Sequence, residues 1–447
     1  MPVTENWMPA RLIPTAGIRG EEEQERRATS ALLAVMTVVP DFARAVLGHM
    51  RAPAGRVQSF CEVPLKGESS NSRPDGAILV ERGKTSWSCL VEVKTGKAEL
   101  RDEQMGRYVD LARQHGFDGV LSISNQIALQ PTELPYGLDG RRIGKLQVKH
   151  LSWWEILTDA VIHYEHRGVD DFEQAYLLGQ LIAYLTDEKS GARGFSDMGP
   201  NWVAVRESVA AGNLKPQDPK AVDVAHRWNQ FVRYLTLSLS QALGRDVKAQ
   251  SKADVVATLK RLCADGVLST TVKVPDAAGS LLLEADLRAS RFTTAVVLDA
   301  PKDKQRAQAS INWLLKQLNR DIPSQVIEVA FAGGRETTVA KLEDVEGADD
   351  LVSQVERKRL PRKFTVSLTR KMGARRAGGK GFVTEAERQV VDFYRDVVQG
   401  LRAPQPRAPK LPEPAAREVN EDPASANGAP LRELSEARVP ETGPEAA

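Results

Sequence analysis

Two short apolar runs of this chain carry charges that a buried strand does not ordinarily tolerate. Asp75 opens the run Gly76-Ala-Ile-Leu-Val80, and Glu92 and Lys94 interrupt the run Leu90-Val-Glu-Val-Lys94. Both runs read as β-strands, and the short polar link over residues 81–86 reads as a hairpin between them. Side chains alternate faces along a strand, so Glu92 and Lys94 share a face with Leu90, while Val91 and Val93 take the other. Asp75 starts the neighbouring strand, so the pattern gathers two carboxylates and an ammonium in apolar surroundings. Two carboxylates about 4 Å apart repel by roughly 4 kcal/mol at an effective dielectric near 20. A cation, a proton or the lysine has to stand between them. Carboxylate and carbonyl oxygens with water are ligands that suit Mg²⁺, which binds phosphates through its remaining positions.

The surrounding pattern places these runs in an α/β domain. Residues 21–49 read as one helix, with Ala28, Leu32, Leu33, Met36 and Val39 at helical spacing after an acidic first turn. Strand-like runs follow at 57–63, 76–80 and 87–93, then a helix over 100–114, strands at 119–124 and 146–151, and a helix from about Trp153. The order α, β, β, β, α, β, β, α describes a mixed sheet flanked by helices. Residues 166–248 are helical in pattern and read as a helical domain or linker. In 249–402 strands return around a helix at 305–318, giving a second α+β domain. The segment 403–447 holds nine prolines and no aromatic residue, so it cannot bury enough surface to offset the entropy of ordering and is expected to be disordered. The expected domains are therefore 1–165, 166–248, 249–402 and a tail.

Length and charge narrow the class further. With 447 residues, 42% hydrophobic, the chain has apolar mass for more than one core. Sixty-one Lys plus Arg against 59 Asp plus Glu leave +2, so net charge does not by itself announce a polyanionic partner. Three cysteines, Cys61, Cys89 and Cys263, are too few for a four-Cys zinc site and fit thiols in a reducing compartment. The opening Met-Pro-Val-Thr-Glu-Asn-Trp lacks a basic stretch followed by an apolar core, and no run of 18 apolar residues occurs. The expectation is a cytoplasmic chain with no membrane partner.

Pro-Asp75, a gap, then Glu92-x-Lys94 resembles the signature of the PD-(D/E)xK nuclease superfamily. Gln104-Met-Gly-Arg-Tyr108, on the helix after the charged strand, is similar to the Gln-x-x-x-Tyr element of its RecB-like and lambda-exonuclease-like branches. Gln104 and Tyr108 lie four apart and share one helix face. Glu25, in helical phase with Ala28, Leu32 and Met36, matches the additional acid that many members carry on their first helix; Glu21 and Glu22 match it less well. The resemblance covers residues 15–165 and implies a restriction-endonuclease-like fold. It also implies that Asp75, Glu92 and the carbonyl of Val93 hold Mg²⁺ or Mn²⁺, and that Lys94 positions the attacking water and stabilises charge on the phosphate. Gln104 and Tyr108 would then brace the site or touch the phosphate backbone. The implied activity is hydrolysis of phosphodiester bonds in nucleic acid, DNA being favoured, in bacterial defence or stress response. The alternative is an inactive nucleic-acid-binding or stress-response scaffold that keeps the fold. A double-strand cut by a one-site enzyme would favour a homodimer.

A second nucleic-acid signal is the run of ten cations without an acid formed by Arg357, Lys358, Arg359, Arg362, Lys363, Arg370, Lys371, Arg375, Arg376 and Lys380. It reads either as a salt-sensitive hold on phosphates or as a solvated strand and loop that balances the acidic stretch 343–350. Phe364-Thr-Val-Ser-Leu368 within it alternates as a strand should. Ser122 and Ser124 have no histidine at a persuasive offset, so serine hydrolysis is not expected. His163 and His166 lack the further ligands zinc would need.

Overall fold

Helix α1 (Glu21–Val38) carries three glutamates in its first turn, where they complement the helix dipole, and buries Ala28, Leu32, Leu33, Val35 and Met36. The expectation of one helix over 21–49 is corrected here. Pro40 has no N–H to donate, and its ring pushes Val39 out of helical geometry (φ −109°, ψ 87°). The chain bends by 114° into α2 (Pro40–Gly48), with Pro40 in its first turn, where proline is tolerated. The structure is a computed structural model and describes residues 12–66, 71–130, 132–192, 194–335, 337–352, 359–373 and 381–404.

Strand β1 (Arg56–Cys61), the two-residue strands β2 (Leu65–Lys66) and β3 (Asn71–Ser72), β4 (Gly76–Arg82) and β5 (Thr85–Val93) follow. The link expected over 81–86 shrinks to the two residues Gly83 and Lys84, because both strands continue into it; Gly83 supplies the φ of +60° that so tight a turn requires. Next come α3 (Asp102–Gln114), β6 (Gly119–Ser124), α4 (Gly140–Ile143), β7 (Gln147–Ser152) and α5 (Trp153–Val161). The five-stranded sheet runs β1-β4-β5-β6-β7, antiparallel from β1 to β5 and parallel from β5 to β7. It is therefore the mixed sheet that the element order implies.

Both faces of this sheet are covered. Val91, Val93, Leu121 and Ile123 face α1, α2 and α5, together with α6 (Phe172–Thr186). Ala77, Leu90 and Val120 face α3 through Met105, Tyr108 and Val109. Covering on both sides explains why every residue of β6 is buried. Each fully buried aliphatic side chain contributes about 1.5–3 kcal/mol, so the sheet is held firmly enough to fix the strand ends where the charges sit.

The remaining elements are α7 (Trp202–Ala210), α8 (Pro219–Leu243), β8 (Lys248–Ala249), α9 (Val255–Asp265), β9 (Val267–Lys273), β10 (Ser280–Asp286), β11 (Arg291–Asp299), α10 (Ala307–Leu315), β12 (Gln325–Phe331), β13 (Thr337–Lys341), β14 (Pro361–Lys371) and α11 (Phe382–Asp396). The seven strands order as β13-β12-β14-β11-β10-β9-β8, all antiparallel. In this sheet one residue in two is buried, as in β10, where Leu281, Leu283 and Ala285 enter a core shared with Phe231, Ile311 and Phe393. The helical stretch 166–248 is divided between the two cores, since α6 packs into the first and α8 into the second. Helix α8 joins the lobes. Arg233 pairs with Glu155 at 2.8 Å, Gln230 Nε2 donates to the carbonyl of Ile127 at 3.1 Å, and the rings of Trp154 and Tyr234 lie 4.9 Å apart. The described residues up to 404 form one compact unit, and most of the expected tail, from residue 405, lies outside them. Among the described residues no single helix is long and apolar enough to cross a membrane.

Candidate active site

Asp75 and Glu92 meet because β4 and β5 pair with Gly76 opposite Val91. The residue before Gly76 and the residue after Val91 are then neighbours across the ladder. Asp75 Oδ2 accepts from the backbone N–H of Val93 at 2.7 Å, and the two carboxylates lie within reach of a shared proton. Gly76 leaves room for α1. A Cβ there would stand 2.6 Å from Leu33 Cδ1 and 2.9 Å from the Phe60 carbonyl, so only glycine lets α1 lie this close to the strand end.

Lys94 follows β5 directly and its ammonium makes three bonds: to Glu92 Oε1 at 2.9 Å, Glu25 Oε2 at 2.9 Å and the Val93 carbonyl at 3.1 Å. Its backbone is fixed as well. The Lys94 N–H donates to the Ile123 carbonyl at 2.8 Å, and Trp153 Nε1 donates to the Lys94 carbonyl at 2.9 Å. From α3, Gln104 Nε2 donates to Glu92 Oε1 at 2.6 Å, and the Tyr108 hydroxyl lies in hydrogen-bonding reach of Gln104 and Glu92. Glu25, Asp75, Glu92, Lys94, Gln104 and Tyr108 thus surround one point at the end of β5. Of the three first-turn and second-turn acids considered on α1, it is Glu25 that reaches Lys94.

The electrostatics of the group are asymmetric. Glu92 is 1% exposed; Oε1 receives Gln104 and Lys94, whereas Oε2 is buried and accepts no hydrogen bond among the described residues. Burial first, and then the Asp75 charge, push the Glu92 carboxyl up from 4.5 to about 8. Burial also raises the Glu25 carboxyl, against the opposing pull of Lys94. For Lys94 burial works toward neutrality, but the Glu92, Glu25 and Asp75 carboxylates outweigh it and hold the ammonium above its ordinary range. A lysine kept charged in this way is an electrostatic and hydrogen-bonding group and does not serve as a base. Burial, reinforced by the Glu92 charge, likewise keeps the Tyr108 hydroxyl protonated.

These residues fit a hard dication. Two facing carboxylates, a bare buried carboxylate oxygen and the Val93 carbonyl make an oxygen donor set, and an unpaired buried oxygen is costly unless something binds it. Among the described residues no group of three or more His, Cys, Asp or Glu side chains is placed to hold a metal.

Sequence reasoning missed a second polar chain beside this point. Glu92, Ser122 and His150 are cross-strand neighbours on β5, β6 and β7. The Ser122 hydroxyl lies 2.8 Å from the Tyr136 hydroxyl and 3.1 Å from His150 Nδ1, and His150 Nε2 lies 2.8 Å from the Gln126 carbonyl. A histidine does meet Ser122, 28 positions on, contrary to the reading from offsets. Both of its nitrogens are engaged, burial pushes its pKa down, and Ser122 is fully buried. The chain therefore braces the sheet and offers no accessible nucleophile. The alternation of polar residues at 122 and 150 within buried strands is the only signal that marks it in the sequence.

Of the basic run, Arg359, Arg362, Lys363, Arg370 and Lys371 are among the described residues. Arg362 and Lys363 are exposed at one end of β14, with Arg359 just before them, and Arg370 and Lys371 are exposed at the other end. Seven strand steps separate Lys363 from Arg370, roughly 23 Å at about 3.3 Å per step. Arg357, Lys358, Arg375, Arg376 and Lys380 lie outside the described residues. His163 is near Arg167 and His166 near the Gln241 carbonyl, on a π-helical turn, and among the described residues neither belongs to a group of three or more ligands that could hold a metal. No family model matches the chain, nor does any curated protein or solved structure.

Proposed function

We propose that the N-terminal lobe is a Mg²⁺- or Mn²⁺-dependent nuclease of the PD-(D/E)xK kind, with DNA the favoured polymer. The observation that carries this reading is the Glu92 carboxylate, buried beside Asp75 with one oxygen held by Gln104 and Lys94 and the other bare. Asp75, Glu92 and the Val93 carbonyl would hold the ion, which when bound supplies a water of lowered pKa and a Lewis acid at the phosphate. Gln104 fixes the rotamer of Glu92. Glu25 orients Lys94, whose charge faces the place where negative charge grows as the phosphodiester is attacked. Tyr108, kept protonated, donates toward Glu92 or a phosphate oxygen. A role in defence or stress response, and a homodimeric state for double-strand cutting, belong to the same proposal.

The test is incubation with linear, circular and single-stranded DNA and RNA under Mg²⁺ and under chelator, for wild type and Asp75→Ala, Glu92→Ala and Lys94→Ala. Each variant is expected to lose cleavage by about 10²-fold or more. Full activity in any of the three removes that residue from the mechanism. Calorimetric titration with Mg²⁺ separates the enzyme from an inactive scaffold, since wild type should show a site that Asp75→Ala lacks.

A further inference from the structure

A cavity of about 770 Å³ opens between the lobes beside the candidate site. One wall is the loop 96–99 with Asp102, the segment that joins Lys94 to the helix bearing Gln104. The opposite wall is α8, through Asp223, His226, Arg227 and Gln230, and the nearly buried rings of Tyr136 and Phe195 line it as well. It thus lies past the carboxyl ends of the parallel strands β5 and β6, the usual place for ligands in open α/β sheets.

The lining indicates what enters. Its volume falls in the range of small-molecule sites. Four carboxylates, Glu99, Asp102, Glu133 and Asp223, face two cations, Lys97 and Arg227, so a phosphate is disfavoured inside. Carboxylates accept from exocyclic amino groups of bases, and guanidinium and aromatic faces stack on them. Arg227, Glu99 and Glu133 have no partner among the described residues, so they have bonding capacity to offer.

We propose that this cavity receives one unpaired nucleobase of the substrate strand, next to the phosphate held at Lys94, which makes the substrate a single-stranded or locally unpaired nucleic acid. The inference rests on the nuclease reading for its register but is tested by binding. A fluorescent single-stranded oligonucleotide is titrated by anisotropy in Ca²⁺, and an abasic position is moved along it one nucleotide at a time. Affinity should fall about tenfold at one position, in line with the loss of a stacked base, and more for an amino-bearing base than for thymine. Arg227→Ala and Glu133→Ala should flatten that step. A flat scan in wild type, or a duplex bound as tightly as the single strand, overturns the pocket. Hydrolysis of bis(4-nitrophenyl) phosphate, which has no base, examines the metal site alone; its absence in wild type overturns the nuclease reading and leaves the binding result to decide the pocket.

Discussion

The two lobes use the same materials, a sheet with helices packed on it, and differ in what they bury. In the first lobe Glu92, His150, Glu155 and His163 are all buried ionisable residues; in the second the buried polar residues, among them Thr294, Gln325, Thr338 and Gln389, are neutral. Burying a charge is costly unless it is paired, and the four cases in the first lobe are not alike. Glu155 is met by Arg233 and by Ser152, which hold its carboxyl below the usual range although burial alone would raise it. His150 is bonded at both nitrogens, and His163 is near Arg167. Of these four, Glu92 alone has a carboxylate oxygen that accepts no hydrogen bond among the described residues. The contrast separates residues whose neighbours satisfy them from one that has an oxygen left over.

The largest expected effect comes from removing that one difference. Glu92→Gln should lower Mg²⁺-dependent cleavage by about 10³-fold while sparing the metal-free fold. The raised carboxyl of the wild type contributes stability that is full below about pH 4.5 and is lost as pH climbs through about 8. At roughly 1.4 kcal/mol per unit, the wild type should lose a few kcal/mol relative to Glu92→Gln across that window, and Mg²⁺ should restore it. Denaturant midpoints from pH 5 to 9 measure this; a pH-independent difference would erase the contrast between Glu92 and its braced neighbours.

Arg233→Ala comes next. It leaves Glu155 buried and unpaired at the lobe junction and should cost about 3–5 kcal/mol, whereas Arg233→Met with Glu155→Gln should recover most of the loss. A single variant as stable as the wild type would mean that Glu155 is not a brace. His49→Gln should be the smallest. Asp159 raises the His49 pKa through a 3.0 Å bond, against the effect of burial, so the pair stabilises below the ordinary imidazole value and its contribution fades as pH rises through the raised one. The pair is more than a third exposed on the histidine side, which limits it to about 0.5 kcal/mol; a thermal-shift difference that grows toward alkaline pH would contradict the assignment.

Much of the first lobe is legible because local rules and tertiary packing agree. Strand β6 reads from its uninterrupted apolar run, and the meeting of Asp75 with Glu92 follows from a hairpin whose alternation is intact. Gln104 and Tyr108 are legible as a helical pair. What is hidden depends on long connections. Ser122 meets His150 because β6 and β7 are parallel neighbours, and nothing local sets that register. The break at Pro40 is readable from proline chemistry, yet the apolar spacing runs through it and suggests one helix. Helix α11 carries Phe382, Ala386, Val390 and Phe393 at helical spacing, but the acids and arginines interleaved with them dilute the pattern. The cavity wall is assembled from residues about a hundred positions apart, so no window of sequence contains it.

The reach of Glu25 to Lys94 across 69 positions has a consequence for synthesis. Helix α1 leaves the ribosome well before Leu178, Leu181 and Tyr184 of α6, which complete the core it packs in and emerge some 150 residues later. Until then the helix that carries Glu25 lacks part of the packing that holds it against Lys94, and Glu92 is the carboxylate partner nearest in sequence.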